Sequence, residues 1–332
     1  MQYNFVTKLN NITFPILNKG KKFGDYFRIS TSDSIFKKHF ENDYFIQNVG
    51  LLEYTQFLGS PFIYSTGNHN ALLKQLNYSK AKNISEKDSL EMDTLYPLNA
   101  FIRYIWTFNN CLWLVKDHSM NIETAFIMLS KNNVPYQISS NSGSVSISTA
   151  TGKILTTSFS QEELNLASSY FEKLVKKDVE FSIGDRLISA EYAFKNSDRL
   201  TRSTYFLSQA RGQAHLPTKI SSYCTTLETL FTTTNSELVH QVSERFARML
   251  GDSLETRKFY YDLCKKAYSI RSKVVHGQSL NKEFRNIESI SKELDNGLRK
   301  LLNKLLFEEQ YKEIYSSSNE KLDAWFKELI LS

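Results

Sequence analysis

Seven residues, RSKVVHG at 271–277, place an arginine and a histidine five positions apart where a long amphipathic run should stop. Such a pair could work on a phosphate ester. Histidine is the side chain that exchanges a proton most readily near neutral pH, and the arginine guanidinium offers anionic oxygens a planar fork of donors. The same residues also fit a solvated helix end, because positive side chains near a helix C-terminus interact favourably with its dipole. R-x4-H by itself does not separate the two readings.

Periodicity sharpens the geometry. Within 254–276, Leu263, Ala267, Ile270 and Val274 recur at +4, +3 and +4 and define a buried stripe. At about 100° per residue, Arg271 falls roughly 80° from Leu263, on the border of that stripe, and His276 roughly 220° away, opposite the core. Gly277 is then a natural residue to end the helix, free to take positive φ. Residues five apart are about 140° apart around the axis, so Arg271 and His276 do not stack as an i,i+4 pair does. If they act on one phosphate, a second copy of the same helix is the natural complement, and a symmetric dimer supplies it.

The elements that must position this pair emerge from the rest of the chain. Its 332 residues favour two domains, with 1–180 expected to be mixed α/β and 181–332 a helical bundle, an α+β protein overall. Phe and Tyr are plentiful and Gly and Pro scarce, which favours helices and aromatic cores. A formal charge of +6 permits an anionic partner such as RNA or DNA without requiring one. Cys111, Cys224 and Cys264 lie far apart with no metal-ligand spacing, which fits a reducing cytoplasm. MQYNFVTKLNN lacks a signal pattern, and no stretch reaches the roughly 20 apolar residues that span a bilayer. A soluble, cytoplasmic protein without membrane association is expected.

In the first part FPIL, YFRIS and SPFIYS read as short strands. PLNAFIRYIWTFNNCLWLVKD (97–117) reads as a buried helix with Pro97 in its first turn. VPYQISSNSGSVSISTATGKILTTSF alternates around Val145 and Ile147, with Gly143 and Gly152 at turns, as a β-meander does. Ser160 and Glu163 form a capping box for a helix to about Lys177. From Asp198 to Leu306 the pattern is almost continuously helical. Pro217 opens one helix, Gly251 closes the next, and Asp252–Glu255 starts the run ending in RSKVVHG. Phe284, Ile287, Leu294, Leu298, Leu301 and Leu305 then share one stripe. A bundle of four or five helices follows, finished by a short helix around KLDAWFKELI.

In that context LCKKAYSIRSKVVHG resembles the signature of the HEPN superfamily of nucleases, most closely its Apea-like branch, where an R-x4-6-H motif ends a bundle helix. YCTTLETLF, then SERFARMLG, then LCKKAYSIRSKVVHG follow that branch's order and spacing, over about residues 198–306. The N-terminal half carries no such motif. The resemblance implies a HEPN-like bundle and a metal-independent endoribonuclease without cofactor. It would work as a homodimer with a composite active site, and its products would be a 2′,3′-cyclic phosphate and a 5′-hydroxyl. Arg271 and His276 would be catalytic. Lys273 would contact phosphate or stand as a solvated surface lysine, with Ser272 beside it in the motif. Glu228, matching an acidic position of the branch, would orient Arg271 or serve as a bundle salt bridge. By resemblance the target is cellular RNA such as tRNA, the role phage defence or growth arrest, and the regulator a phage-derived trigger or an antitoxin. Gln278 stands where members paired with a nucleotidyltransferase antitoxin often carry a tyrosine, so control through that tyrosine is not expected. Two alternatives remain: a non-catalytic HEPN module for dimerisation or RNA or nucleotide binding, and a small-molecule-binding regulator.

Charge around the motif leans the same way. Residues 255–306 carry twelve Lys/Arg against six Asp/Glu, an excess suited to an RNA backbone. Other candidates fall away. RGQAH (211–215) has R-x3-H spacing before Pro217 and reads as a helix end. His39, His69, His118 and His240 are scattered without zinc-ligand grouping. TATGKI lacks the glycine and hydroxyl of a P-loop, and SNSGSVS is not G-x-S-x-G. FIRYIWTFNNCLWLVKD reads as a core helix, not a base-stacking platform.

Overall fold

The computed structural model describes residues 1–15, 17–78, 86–143, 146–175, 198–234, 236–279 and 285–331. The protein is α+β, an N-terminal antiparallel sheet followed by a helical region. The described residues of 1–145 and 156–187 form one compact unit, and those of 146–155 and 188–332 form another.

The first unit is built on strands β1 (Gln2–Lys8), β3 (Lys21–Phe23), β4 (Phe27–Ser30), β5 (Phe62–Asn68), β6 (Thr124–Lys131) and β7 (Val134–Ser142), ordered β3-β4-β5-β1-β6-β7. Each pairing is antiparallel. Side chains alternate across the sheet with period two. Tyr3, Phe5, Ile63, Ala125, Ile127 and Leu129 face one core, and Val6, Phe62, Tyr64, Phe126 and Met128 the other. The second face is covered by Phe36 and Phe40 of α1 (Asp33–Phe40), Phe45 of α2 (Asp43–Val49) and Tyr54 and Phe57 of α3 (Leu51–Phe57). The first is covered by the long α5 (Glu86–Val115) and by α6 (Gln161–Val175), whose Leu164, Ala167 and Phe171 join that core. β1 is apolar on both faces because it is a central strand.

YFRIS and SPFIYS lie in β4 and β5, but FPIL does not form a strand. Its described residues are irregular and follow the two-residue β2 (Ile12–Thr13), which pairs with β8 (Thr157–Ser158). Pro97 also departs from expectation, lying inside α5 and not in its first turn. A proline there cannot donate to the carbonyl four residues back, that of Asp93. The fully buried His69, at the start of α4 (His69–Gln75), occupies that carbonyl instead, with Nε2 2.9 Å from it. Since the carbonyl only accepts, Nε2 carries the proton.

Of the expected β-meander, β7 forms a hairpin with β6 and Thr157–Ser158 form β8, whereas residues 146–155 between them are not strand. Val145 lies outside the described residues, as do Lys177 and the expected domain boundary at 180. The segment 146–155 belongs to the second unit. Ile147, Ser148, Thr149 and Ala150 are buried there. Ser148 N–H donates to Arg211 O at 2.9 Å and its hydroxyl to Gln213 O at 2.6 Å. Ser291 Oγ donates to Ala150 O at 2.5 Å. Lys219, fully buried, donates to Ala210 O at 2.8 Å and Ser148 O at 3.4 Å.

Among the described residues, the helices of the second unit are α7 (Arg199–Arg211), α8 (Leu216–Phe231), α9 (Leu238–Leu250), α10 (Leu254–Val275), α11 (Ile287–Phe307), α12 (Glu309–Tyr315) and α13 (Asn319–Leu331). Pro217 sits in the first turn of α8, and Gly251 ends α9. Ser160 and Glu163 cap α6 reciprocally, but the box that starts α10 is Ser253 with Thr256, one position later than read from Asp252–Glu255. Ile287, Leu294, Leu298, Leu301 and Leu305 are buried, and Phe284 lies outside the described residues. α13 is held through Arg245 of α9, whose guanidinium donates to Phe231 O, Thr233 Oγ1 (2.9 Å) and Asp323 Oδ1 (2.9 Å) and stacks 4.3 Å from the Phe326 ring.

Two outcomes follow from these contacts. Gly152 has φ +74° and a Cβ there would lie 2.2 Å from Ala214 O, whereas Gly277, at φ +66°, has open space around it. Gly277→Ala should therefore cost only the left-handed penalty of about 1–2 kcal/mol, and Gly152→Ala clearly more, as compared in urea unfolding. Hydrogen bonds from Thr233 and Lys327, aided by Arg245 and opposed in part by burial, lower the Asp323 carboxyl from 3.8 to about 2. A depressed carboxyl stabilises the fold above its unfolded pKa and loses that contribution as pH falls toward its folded one. Asp323→Asn should cost about 1–3 kcal/mol at pH 7 and reduce the loss of stability between about pH 4 and 2, measured by thermal melts across that range.

Candidate functional site

α8 and α10 pack along a seam that decides the surroundings of Arg271. On α8, Cys224 and Glu228 are one turn apart. On α10, Cys264, Tyr268 and Arg271 follow at +4 and +3, so each set shares a face. Cys224, Leu227, Leu263, Cys264, Ala267 and Tyr268 are buried. Burial raises the Cys224 thiol well above its ordinary pKa and pushes Cys264 up to about 12, so both remain neutral and serve as packing groups.

At the edge of this seam Arg271 Nη1 donates to Glu228 Oε1 at 2.6 Å. The arginine side chain is 31% exposed and the glutamate 19%. The pair is therefore shielded enough to be more than a surface ion pair, yet open enough for an oxyanion to approach. The Arg271 guanidinium also lies 5.7 Å from the centre of the Tyr268 ring, within cation–π range. Burial drives the Tyr268 phenol strongly upward, and its hydroxyl has no hydrogen-bond partner among the described residues. Glu228 fixes one edge of the guanidinium and Tyr268 supports its face, while other N–H donors keep no partner among the described residues.

The last turn is set by its backbone. His276 is the residue at which α10 ends, with φ −90° and ψ 7°. Gly277 N–H donates to Val274 O at 3.2 Å and Gln278 N–H to Lys273 O at 2.8 Å, with Gly277 left-handed between them. This is the paired 5→2 and 6→1 closure of a Schellman end. Ser272, Val275, His276 and Gly277 are exposed, and Lys273 and Val274 are half-buried. Ser272 and His276, four apart, share the solvent face. The structure thus brings Glu228 to Arg271 and leaves Ser272 and His276 outside that pair. No hydrogen bond or ion pair joins Arg271 to His276 among the described residues.

Tyr268 was not singled out by the sequence, although its place three residues before Arg271 puts it on the same face. The arginine and histidine of RGQAH part company: Arg211 is buried and His215 exposed. His39 lies beside Tyr64, with ring centres 5.7 Å apart, and His118 Nε2 lies 3.2 Å from Asn109 O. No group of three or more His, Cys, Asp or Glu is arranged to hold a metal ion among the described residues. No helix among them is long and apolar enough to cross a membrane.

Comparison with protein-family models, with curated proteins and with solved structures returned no match for this chain.

The Glu228–Arg271 pair makes a direct stability prediction. Glu228→Gln should destabilise the fold by about 1–2 kcal/mol, between the extremes for exposed and buried pairs. In a double-mutant cycle with Arg271→Gln, measured by urea unfolding, the two effects should be strongly non-additive.

Proposed function

We propose that this protein is a metal-independent endoribonuclease of the HEPN type, working as a homodimer whose two R-x4-H turns share a composite site. The observation that carries this reading is Arg271, held by Glu228 at 2.6 Å on the edge of a buried seam, one exposed turn before His276. The three stretches that resemble the Apea-like branch fall in order on α8, α9 and α10, which supports the same reading.

The chemistry suits these side chains. In RNA cleavage without a metal, the 2′-oxygen attacks phosphorus and the P–O5′ bond breaks. A proton leaves the 2′-hydroxyl, and another must reach the departing 5′-oxygen. His276, exposed at a helix end, moves protons as general base or acid. Arg271 meets the charge that develops on the phosphorane-like oxygens, and its fixed orientation limits reorganisation during the step. The 140° offset between positions 271 and 276 on one helix favours an arginine from one protomer acting with a histidine from its partner. Val275, 65% exposed at this turn, suits a surface covered by a second copy. Ser272 and Lys273 flank the phosphate path, and Lys273 contributes charge. The sheet unit senses a trigger or selects substrate, and cellular RNA such as tRNA is the target in defence or growth arrest.

Incubating full-length protein with total RNA in EDTA tests this. Wild type should leave 2′,3′-cyclic phosphate ends, identified by mass spectrometry, and Arg271→Ala and His276→Ala should each lower the rate by about 100-fold or more. Mixing the two inactive variants should restore part of the activity through hybrid dimers. Cleavage by both variants at the wild-type rate, or none by wild type with any trigger, would refute the proposal.

A further inference from the structure

We infer an RNA-binding position on the sheet unit, where Lys22 and Arg28 stand directly opposite each other on adjacent strands, beside a stack of Tyr64 and His39. Its ligand is the phosphodiester backbone of single-stranded RNA. That choice rests on the ribonuclease reading and gives the sheet unit the task of holding substrate.

Strand register builds the position. Lys22 of β3 pairs with Arg28 of β4, and Arg28 with Tyr64 of β5. Directly opposed residues share a face of the sheet, so both cations lie on the face that carries Val6, Phe62 and Tyr64. Helix α1 reaches Tyr64 through the half-buried His39, whose ring stacks on the Tyr64 ring with centres 5.7 Å apart and planes 29° apart. Farther toward the sheet edge, Lys22 and Arg28 are exposed, as is Lys38 next to His39.

Like charges directly opposite each other destabilise a sheet, because their Cβ atoms stand only about 5 Å apart. Among the described residues no carboxylate is in ion-pair range of Lys22, Arg28 or Lys38. A lysine on an edge strand is an ordinary guard against sheet-to-sheet pairing. That role does not account for Arg28, because β4 is an inner strand. Arg28 Nη1 donates to Gly20 O at a long 3.4 Å, which leaves the rest of the guanidinium fork for another acceptor. An oxyanion set between the two cations would offset their repulsion and accept from both. Burial, and then the charge of Lys38, hold the His39 imidazole below its ordinary pKa. At neutral pH the ring is therefore an uncharged aromatic plane. A single-stranded nucleic acid supplies negative charge for the cations and a base for the ring, whereas a polyanion without bases supplies only the first.

Lys22→Glu separates binding from folding, because it turns the like-charge pair into an opposite-charge pair. The probe is a fluorescent single-stranded 2′-deoxy oligonucleotide, which lacks the attacking hydroxyl, titrated into full-length protein by anisotropy at several salt concentrations. Lys22→Glu should bind about tenfold more weakly and yet melt no lower than wild type. Arg28→Gln should weaken binding in the same direction, with a salt slope shallower by about 0.7. Unchanged affinity and slope in both variants overturn the inference. Poly-glutamate that displaces the probe from wild type as well as unlabelled oligonucleotide of equal charge does overturns the RNA assignment in favour of an acidic protein. A wild type that cleaves RNA while Lys22→Glu keeps its KM removes this position and leaves the ribonuclease reading standing. A wild type that cleaves nothing with any trigger, yet loses oligonucleotide binding with Lys22→Glu, does the reverse.

Discussion

The packed seam between Leu216–Phe231 and Leu254–Val275 controls where the arginine of RSKVVHG can point. Cys224, Cys264, Ala267 and Tyr268 are buried in that seam, so a charge at its edge is partly desolvated. An arginine in such a place requires a counter-charge, and Glu228, one turn beyond Cys224, supplies it. The seam thus converts a flexible side chain into a fixed cation, with Tyr268 beneath it.

The histidine of the same motif is governed by a different force. Its backbone is closed by Gly277 and Gln278 in a Schellman end, while its ring has no hydrogen-bond partner among the described residues. One residue is oriented by side-chain packing and ion pairing, the other is only placed by backbone geometry. In the proposed reaction, that asymmetry would suit a division of labour in which a fixed group stabilises charge and a movable one carries protons.

The helical unit is not continuous in sequence. The chain leaves the sheet unit after β7, contributes 146–155 to the helical unit, and returns to the sheet unit at β8. Ser148 and Ala150 accept from Lys219 and Ser291, and Ser148 also donates to Arg211 and Gln213. Lys219 is on the same helix as Glu228, so the segment is anchored to the element that holds Arg271. A polypeptide cut at residue 180 would separate the bundle from these partners.

By itself the sequence determined the elements whose signals are local. Pro217 and Gly251 mark helix ends, Gly277 permits a left-handed stop, and the stripe through Leu294, Leu298 and Leu301 specifies a buried face, because each depends only on backbone sterics or on period. The exposed side of His276 and the border position of Arg271 were legible for the same reason. The paired Asn132 and Asn133, both with positive φ, are a local hairpin signal of the same kind. Tertiary structure decided what local signals cannot encode. Pro97 reads as a helix start until His69, distant in sequence, takes the carbonyl it leaves unpaired. The alternation around Ile147 reads as strand until helices distant in sequence supply its hydrogen-bond partners. Resemblance suggested a partner for Arg271, but only packing brought Glu228 within 2.6 Å of it, because an ion pair between two helices exists only where their apolar faces bring them together.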